Sequence, residues 1–81
     1  MLESLKILSI PNCPNCKHLK MILDKEKIVY ESRMFDPDND DDVAEMAYLG
    51  ILNAQFPVVI INGSRLPAMT LPDYMDLIRG A

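Results

Sequence analysis

The residues in this 81-residue chain best placed to do chemistry are Cys13, Pro14, Asn15 and Cys16. Two cysteines three positions apart, with a proline between them, fit the start of a helix. One sulfur then caps the helix and the other lies one turn inside. Both face the same side and can close or release a disulfide with little backbone movement. The position also separates their reactivities. Cys13 meets unpaired backbone N–H groups and the positive end of the helix dipole, which stabilise a thiolate. Cys16, further in and more buried, gains less and stays a thiol until it is needed. Lys17 and Lys20, solvated on the wet side of the helix, add a modest positive potential. The chemistry expected is thiol–disulfide exchange, in which one thiol attacks and the other resolves.

Other uses of these residue types fit less well. Buried structural cysteines are common, but core packing does not call for two of them at a strand-to-helix junction around a proline. A structural zinc site wants four ligands, often two such pairs. Here only His18 is near, turned to a different face of the same helix, so no metal ligand is assigned. A metal or iron–sulfur cluster shared between two chains stays open. His18 itself, on a lysine-rich face, reads as a solvated residue rather than a general base. In the acidic run after Phe35, Asp36, Asp38 and Asp40 alternate as in a calcium loop, but Asp41 stands where glycine is required and Ala47 where a bidentate glutamate is required. The run reads as a capped helix start. Met21, Met34, Met46 and Met75 fall on apolar sides of their elements and read as core filler rather than copper ligands.

The elements that must hold the cysteine pair follow from hydrophobic period and punctuation. Leu5 to Ile10 is a short, partly β-branched run closed by Pro11-Asn12, which predicts a buried strand. From Cys13 the period becomes helical through Cys16, Leu19, Ile22 and Leu23, with Pro14 suited to the first turn. That helix is expected to run to about Lys27. Ile28 to Phe35 reads as a second strand, ended by Asp36-Pro37. A helix from about Asp40 to Tyr48 follows, with Val43, Met46 and Ala47 on one side and Gly50 at its end. Val58 to Ile61 is a central strand, Asn62-Gly63 a hairpin turn, and Ser64 to about Pro67 the returning strand. Thr70 caps a last helix ending near Gly80. The order is βαβαββα, with a parallel pair early and an antiparallel edge late. Pro57, directly before the central strand, either starts it in trans or turns the chain through a cis bond and leaves the backbone of Phe56 free to pair with an extended ligand.

Composition limits the rest. At 49% hydrophobic residues the chain is one small globular domain over residues 1–81. Two cysteines make no disulfide framework, so a secreted mini-protein is not expected. Glu3, Lys6 and Pro11 make a poor signal peptide, and runs such as PVVII fall far short of a membrane span. A cytoplasmic, reducing setting is expected, with no membrane contact. The formal net charge is −4, aromatic residues make up 6% and there is no tryptophan, which argues against nucleic-acid binding. The charge is uneven. Residues 1–35 carry six basic against four acidic groups, and residues 36–45 carry six acidic groups and no basic one. The cysteines sit in the basic part.

The Cys13-Pro14-Asn15-Cys16 segment after a first strand, Phe56-Pro57-Val58 before a third, and the Asn62-Gly63 hairpin together resemble a glutaredoxin-type member of the thioredoxin superfamily, over nearly the whole chain. The resemblance implies an α/β thioredoxin-like fold, with a four-stranded mixed sheet flanked by three helices. It implies Cys13 as nucleophile, Cys16 as resolving thiol, and a cis Pro57 against the active disulfide. The candidate substrate-binding residues are Asn12, Pro14, Asn15, Lys17, Gln55, Phe56, Pro57 and Thr70. No bound cofactor is implied beyond the redox-active Cys13–Cys16 disulfide. Departures are specific. Glutathione-binding members carry Thr-Val-Pro where this chain has Gln55-Phe56-Pro57, and a Gly-Gly pair followed by Asp where it has Pro67-Ala68 and Thr70. Lys17 and Arg65 are left to approach one carboxylate of the tripeptide. The Pro72-Asp73 start of the last helix is similar to small redoxins that serve ribonucleotide reductase and take electrons from a thioredoxin reductase.

The first expectation is therefore a monomeric dithiol electron carrier for protein disulfides, with ribonucleotide reductase among the candidate substrates. Its recycling is assigned to a thioredoxin-reductase-type enzyme rather than to glutathione. The alternatives are a glutathione-dependent glutaredoxin, a module holding a metal or iron–sulfur cluster between two chains, and a thioredoxin-like interaction domain with idle cysteines.

Overall fold

The apolar run at the start of the chain becomes the strand that orders the sheet. β1 (Leu5–Ser9) pairs in parallel with β2 (Glu31–Met34) on one side and antiparallel with β3 (Val58–Ile61) on the other. β3 pairs antiparallel with β4 (Ser64–Arg65), giving the sheet order β2-β1-β3-β4. Three helices, α1 (Pro14–Lys25), α2 (Asp40–Leu49) and α3 (Leu71–Gly80), complete the expected order βαβαββα. The computed structural model describes residues 2–81. No helix among them is long and apolar enough to cross a membrane.

Strand alternation divides the core into two layers. Leu5 and Ile7 of β1 and Val59 of β3 pack with Leu19 and Leu23 of α1 and with Tyr74, Met75 and Ile78 of α3. Leu8 and Val58 point the other way and pack with Phe35, Met46 and Ile51. The helices on the first face present their stripes at the expected spacing. α2 is less amphipathic than its sequence suggests, since only Met46 is buried and Ala47 is exposed. Met21 and Met34 are also exposed, against the reading of them as core filler. Met21 lies off the Cys16–Leu19–Leu23 stripe, and Met34 belongs to a strand whose four side chains all face solvent.

Ends and turns follow local chemistry. β2 begins at Glu31 rather than Ile28, because the Ile28 N–H donates to the Leu23 carbonyl at 2.9 Å and closes α1, while Val29 is 89% exposed. The returning strand is shorter than expected: after Arg65 a single Leu66 N–H bond to Val59 remains, and Pro67 has no donor to continue the ladder. Asn62 and Gly63 both take positive φ, 51° and 84°, as a two-residue hairpin requires. The Asn62 carboxamide oxygen also accepts the N–H groups of Glu3 and Ser4, at 2.7 and 2.9 Å, fastening the entry to β1.

The acidic run is a helix start, as its sequence implies, but the capping side chain is Asn39, which accepts the Asp42 N–H at 3.1 Å. Asp42 reaches back to the Asp36 N–H at 2.8 Å, and Arg33 bridges Asp42 and Glu45. Among the described residues no group of three or more His, Cys, Asp or Glu side chains could hold a metal ion. α2 ends at Gly50 with φ 73°, the left-handed geometry glycine accepts without a Cβ clash. At the opposite end of the molecule Arg79 of α3 makes a two-point contact with Glu26, just past α1.

Leu23→Ala removes a fully buried side chain between α1 and the sheet and is expected to cost about 2–5 kcal/mol. In so small a domain this should appear as a large drop in the urea midpoint. The Arg79 guanidinium holds the Glu26 carboxyl below its usual value, through its hydrogen bonds first and its charge second. A depressed carboxyl adds stability above its unfolded-state value and loses it as pH falls through the folded one. Thermal melts of wild type and Glu26→Gln should differ at neutral pH and converge on acidification through that range. The difference at neutral pH should shrink with added salt.

Candidate active site

The junction between β1 and α1 is built to present a cysteine at a helix start. Asn12 takes a left-handed φ of 61°, a conformation asparagine tolerates better than most residues, and this turns the chain out of the strand. Cys13 is extended, at φ −107° and ψ 100°, and caps α1. Its sulfur accepts the Cys16 backbone N–H at 3.2 Å, and Pro14 occupies the first helical turn where no donor is needed. The two sulfurs are 2.30 Å apart, joined as a disulfide across a Cα–Cα distance of 5.3 Å. Cys13 is half-buried, whereas Cys16 is only 3% exposed on the stripe that continues through Leu19 and Leu23.

Facing the pair is the turn before β3. The Phe56–Pro57 bond is cis, as the sequence resemblance implies, and Pro57 is buried. The Phe56 carbonyl oxygen lies 3.7 Å from the Cys13 sulfur, a contact that becomes a hydrogen bond only when that sulfur carries a proton. The Tyr74 hydroxyl, 3.5 Å from the Pro57 carbonyl and 3.3 Å from that of Pro67, donates to one or the other and ties α3 to this turn.

The disulfide separates two depressions of different character. On one side Ile10, Asn12, Cys13, Pro14, Cys16, Lys17, Lys20 and Met34 line an open cleft of about 760 Å³. On the other, Asn15, Gln55, Phe56, Pro57 and Thr70 meet Ala68, Met69, Leu71, Pro72 and Tyr74, with no charged side chain in the lining. Of the eight candidate substrate-binding residues, three line the first cleft together with both cysteines, and five line the second, which neither cysteine lines. Thr70 is already engaged, accepting the Asp73 N–H at 3.4 Å as the cap of α3. Arg65 does not reach either cleft: its guanidinium donates to the Gly50 carbonyl at 3.3 Å, so it is not placed to meet a ligand carboxylate. His18 is exposed and lines neither.

Sequence reasoning missed three contributors and misplaced a fourth. Ile10 and Met34 form apolar parts of the cleft wall, Tyr74 anchors the proline turn, and Lys20 enters the cleft instead of standing wholly in solvent. The available signal for Lys20 was its spacing, four residues after Cys16 and so on the same side of the helix.

Comparison with known proteins agrees with this geometry. No curated protein matches the sequence. Among solved structures, the thioredoxin-like protein BC3987 superposes with a TM-score of 0.65 at 22% identity, covering 91% of this chain and 99% of that one. A single-residue mutant of the same protein gives 0.66 at 21%, covering 93% and 99%. At these identities the likeness establishes the thioredoxin-like fold. The family model described as Glutaredoxin matches residues 5–66, from β1 through the cysteine pair and the proline turn to the hairpin. On that match, with a cysteine pair at disulfide distance fit for thiol–disulfide redox chemistry, the chain belongs to the glutaredoxin family.

Proposed function

We propose that this protein is a dithiol electron carrier that reduces protein disulfides and is recycled by a thioredoxin-reductase-type enzyme rather than by glutathione. The Cys13 thiolate, favoured by the Cys16 N–H and the helix start, attacks one sulfur of a substrate disulfide. That bond breaks, a Cys13 mixed disulfide forms, and the departing thiolate takes a proton from solvent. Cys16 then loses its proton and attacks the Cys13 sulfur. The internal disulfide forms, the second substrate thiolate leaves, and two electrons have passed to the substrate. The reductase returns them. The backbone at Phe56 supports the reading by offering an extended substrate segment a place to pair beside Cys13.

The observation that carries the choice of reductant is the uncharged lining of the groove beside Pro57. Glutathione presents two carboxylates, and charge-assisted bonds supply much of the orientation of such a ligand. The start of α3 is the natural anion site there, yet Pro72 removes one donor and the Thr70 hydroxyl takes that of Asp73. The Asp73 carboxylate adds a negative charge in the first turn. The glutathione-dependent reading draws support from Lys17 and Lys20 on the other side of the disulfide. The substrates are proposed to include ribonucleotide reductase, on the resemblance of the Pro72-Asp73 helix start to redoxins of that kind. The protein is proposed to act as a monomer in the cytoplasm.

Cys16→Ser should accumulate a mixed disulfide with a protein substrate through Cys13, visible by mass spectrometry, while Cys13→Ser should trap none. Trapping through Cys16 instead would reverse the two roles. On one preparation, NADPH with a thioredoxin reductase should reduce the oxidised protein with saturable kinetics, and glutathione should do so poorly. Efficient turnover with glutathione and none with the reductase would make the glutathione-dependent reading correct.

A further inference from the structure

The exchange reading leaves one step without a helper. Once a partner is bonded to Cys13, Cys16 must ionise, yet it is only 3% exposed and burial disfavours a thiolate. The N–H at the helix start that would help is its own, and it points to the Cys13 sulfur.

A cation is held beside this position in an unusual way. Ser9, at the end of β1, is completely buried and is the one polar residue in the core of the described chain. Its hydroxyl accepts from the Lys20 ammonium at 2.9 Å and lies 3.4 Å from the Arg33 carbonyl, to which it donates. Lys20 is half-buried, stands one helical turn after Cys16, and lines the same cleft as both sulfurs. It forms no ion pair among the described residues, so its charge is not neutralised by a carboxylate. A lysine on a helix surface normally extends into water. Here a buried hydroxyl draws it inward, to the side where the second thiol must lose its proton.

We propose that Lys20, anchored by Ser9, is a positioning residue for the resolving step, its ammonium group stabilising the Cys16 thiolate while the partner occupies Cys13. The proton of Cys16 leaves to solvent, and none is exchanged with the lysine. The thiolate electron pair forms the Cys13–Cys16 bond as the partner sulfur departs. The titratable groups around Cys16 are consistent with this. Cys13, Lys17 and Lys20 share its cleft, Tyr74 lines the groove beyond Pro57, and no carboxylate lines either depression.

The proposal rests on the exchange reading but is tested without any partner. In a Cys13→Ser background the only thiol is Cys16, and its alkylation rate is followed against pH by mass spectrometry, with thermal melts confirming that each variant is folded. Lys20→Met should raise the midpoint of that profile by about one unit, the low end of the range for a nearby opposite charge. At neutral pH the thiolate fraction then falls about tenfold. The greater nucleophilicity of a more basic thiolate offsets part of this, leaving alkylation about three- to fourfold slower. Lys20→Arg should restore the original midpoint, and Ser9→Ala should shift it in the same direction as Lys20→Met. Lys20→Gln serves as the second charge-removing variant if Lys20→Met does not fold. An unchanged midpoint without the lysine charge, or no rescue by arginine, overturns the proposal. Either result leaves intact the separate finding of whether Cys16→Ser traps a partner on Cys13.

Discussion

A helix cannot begin without leaving backbone N–H groups unpaired, and here the first side chain offered to them is a sulfur. The contact from the Cys16 N–H to Cys13 is modest in energy, since a hydrogen bond of this kind is worth about 1 kcal/mol. Stronger forces impose its geometry. Burial of side chains such as Leu19 and Leu23 contributes roughly 1.5–3 kcal/mol each and fixes the rotation of α1 about its axis. With that rotation set, Cys16 must face inward and Cys13 must stand at the rim. The difference between the two sulfurs is therefore a consequence of core packing, and the cap exploits an orientation that packing has already chosen.

The depressions on either side of the disulfide express the same division. One is basic and open, in a protein whose overall charge is negative, and the other is uncharged and framed by backbone at the Pro57 turn. The first offers charge, from Lys17 and Lys20, and the second offers only shape and main-chain groups. Tyr74 matters to the second because its hydroxyl, donating to the carbonyl of either Pro57 or Pro67, ties α3 to the proline turn. The last helix is thus part of the site's frame although it contributes no reactive group.

Most of the fold and the site is legible in the sequence, because the signals are local. Proline after a capping cysteine, asparagine–glycine between β-branched runs, and threonine before Pro72 each specify backbone geometry within a few residues. The misreadings have a common cause in tertiary competition. Ile28 and Val29 look like strand residues, but closing α1 claims the Ile28 N–H, and the ladder starts later. Met34 and Ala47 have apolar side chains but sit where no second layer covers them. Lys20 reads as solvated because nothing in its neighbourhood along the chain announces Ser9, eleven residues earlier at the last position of β1. Asn12 and Gln55 could be placed at the site only through the family resemblance, since a single polar residue carries no spacing signal of its own, whereas Asn15 came with the cysteine pair that brackets it.

The two borders of the sheet have a consequence for how this protein behaves in a crowded solution. A free strand border is a template on which another chain can add, and proteins that expose a long one tend to aggregate. β2 is four residues long and carries Glu31 and Arg33, and β4 is two residues long and ends at Arg65 before Pro67 interrupts the ladder. Lys6 and Glu31 add an ion pair across the β1–β2 seam. Short, charged borders of this kind offer another chain little template on which to add.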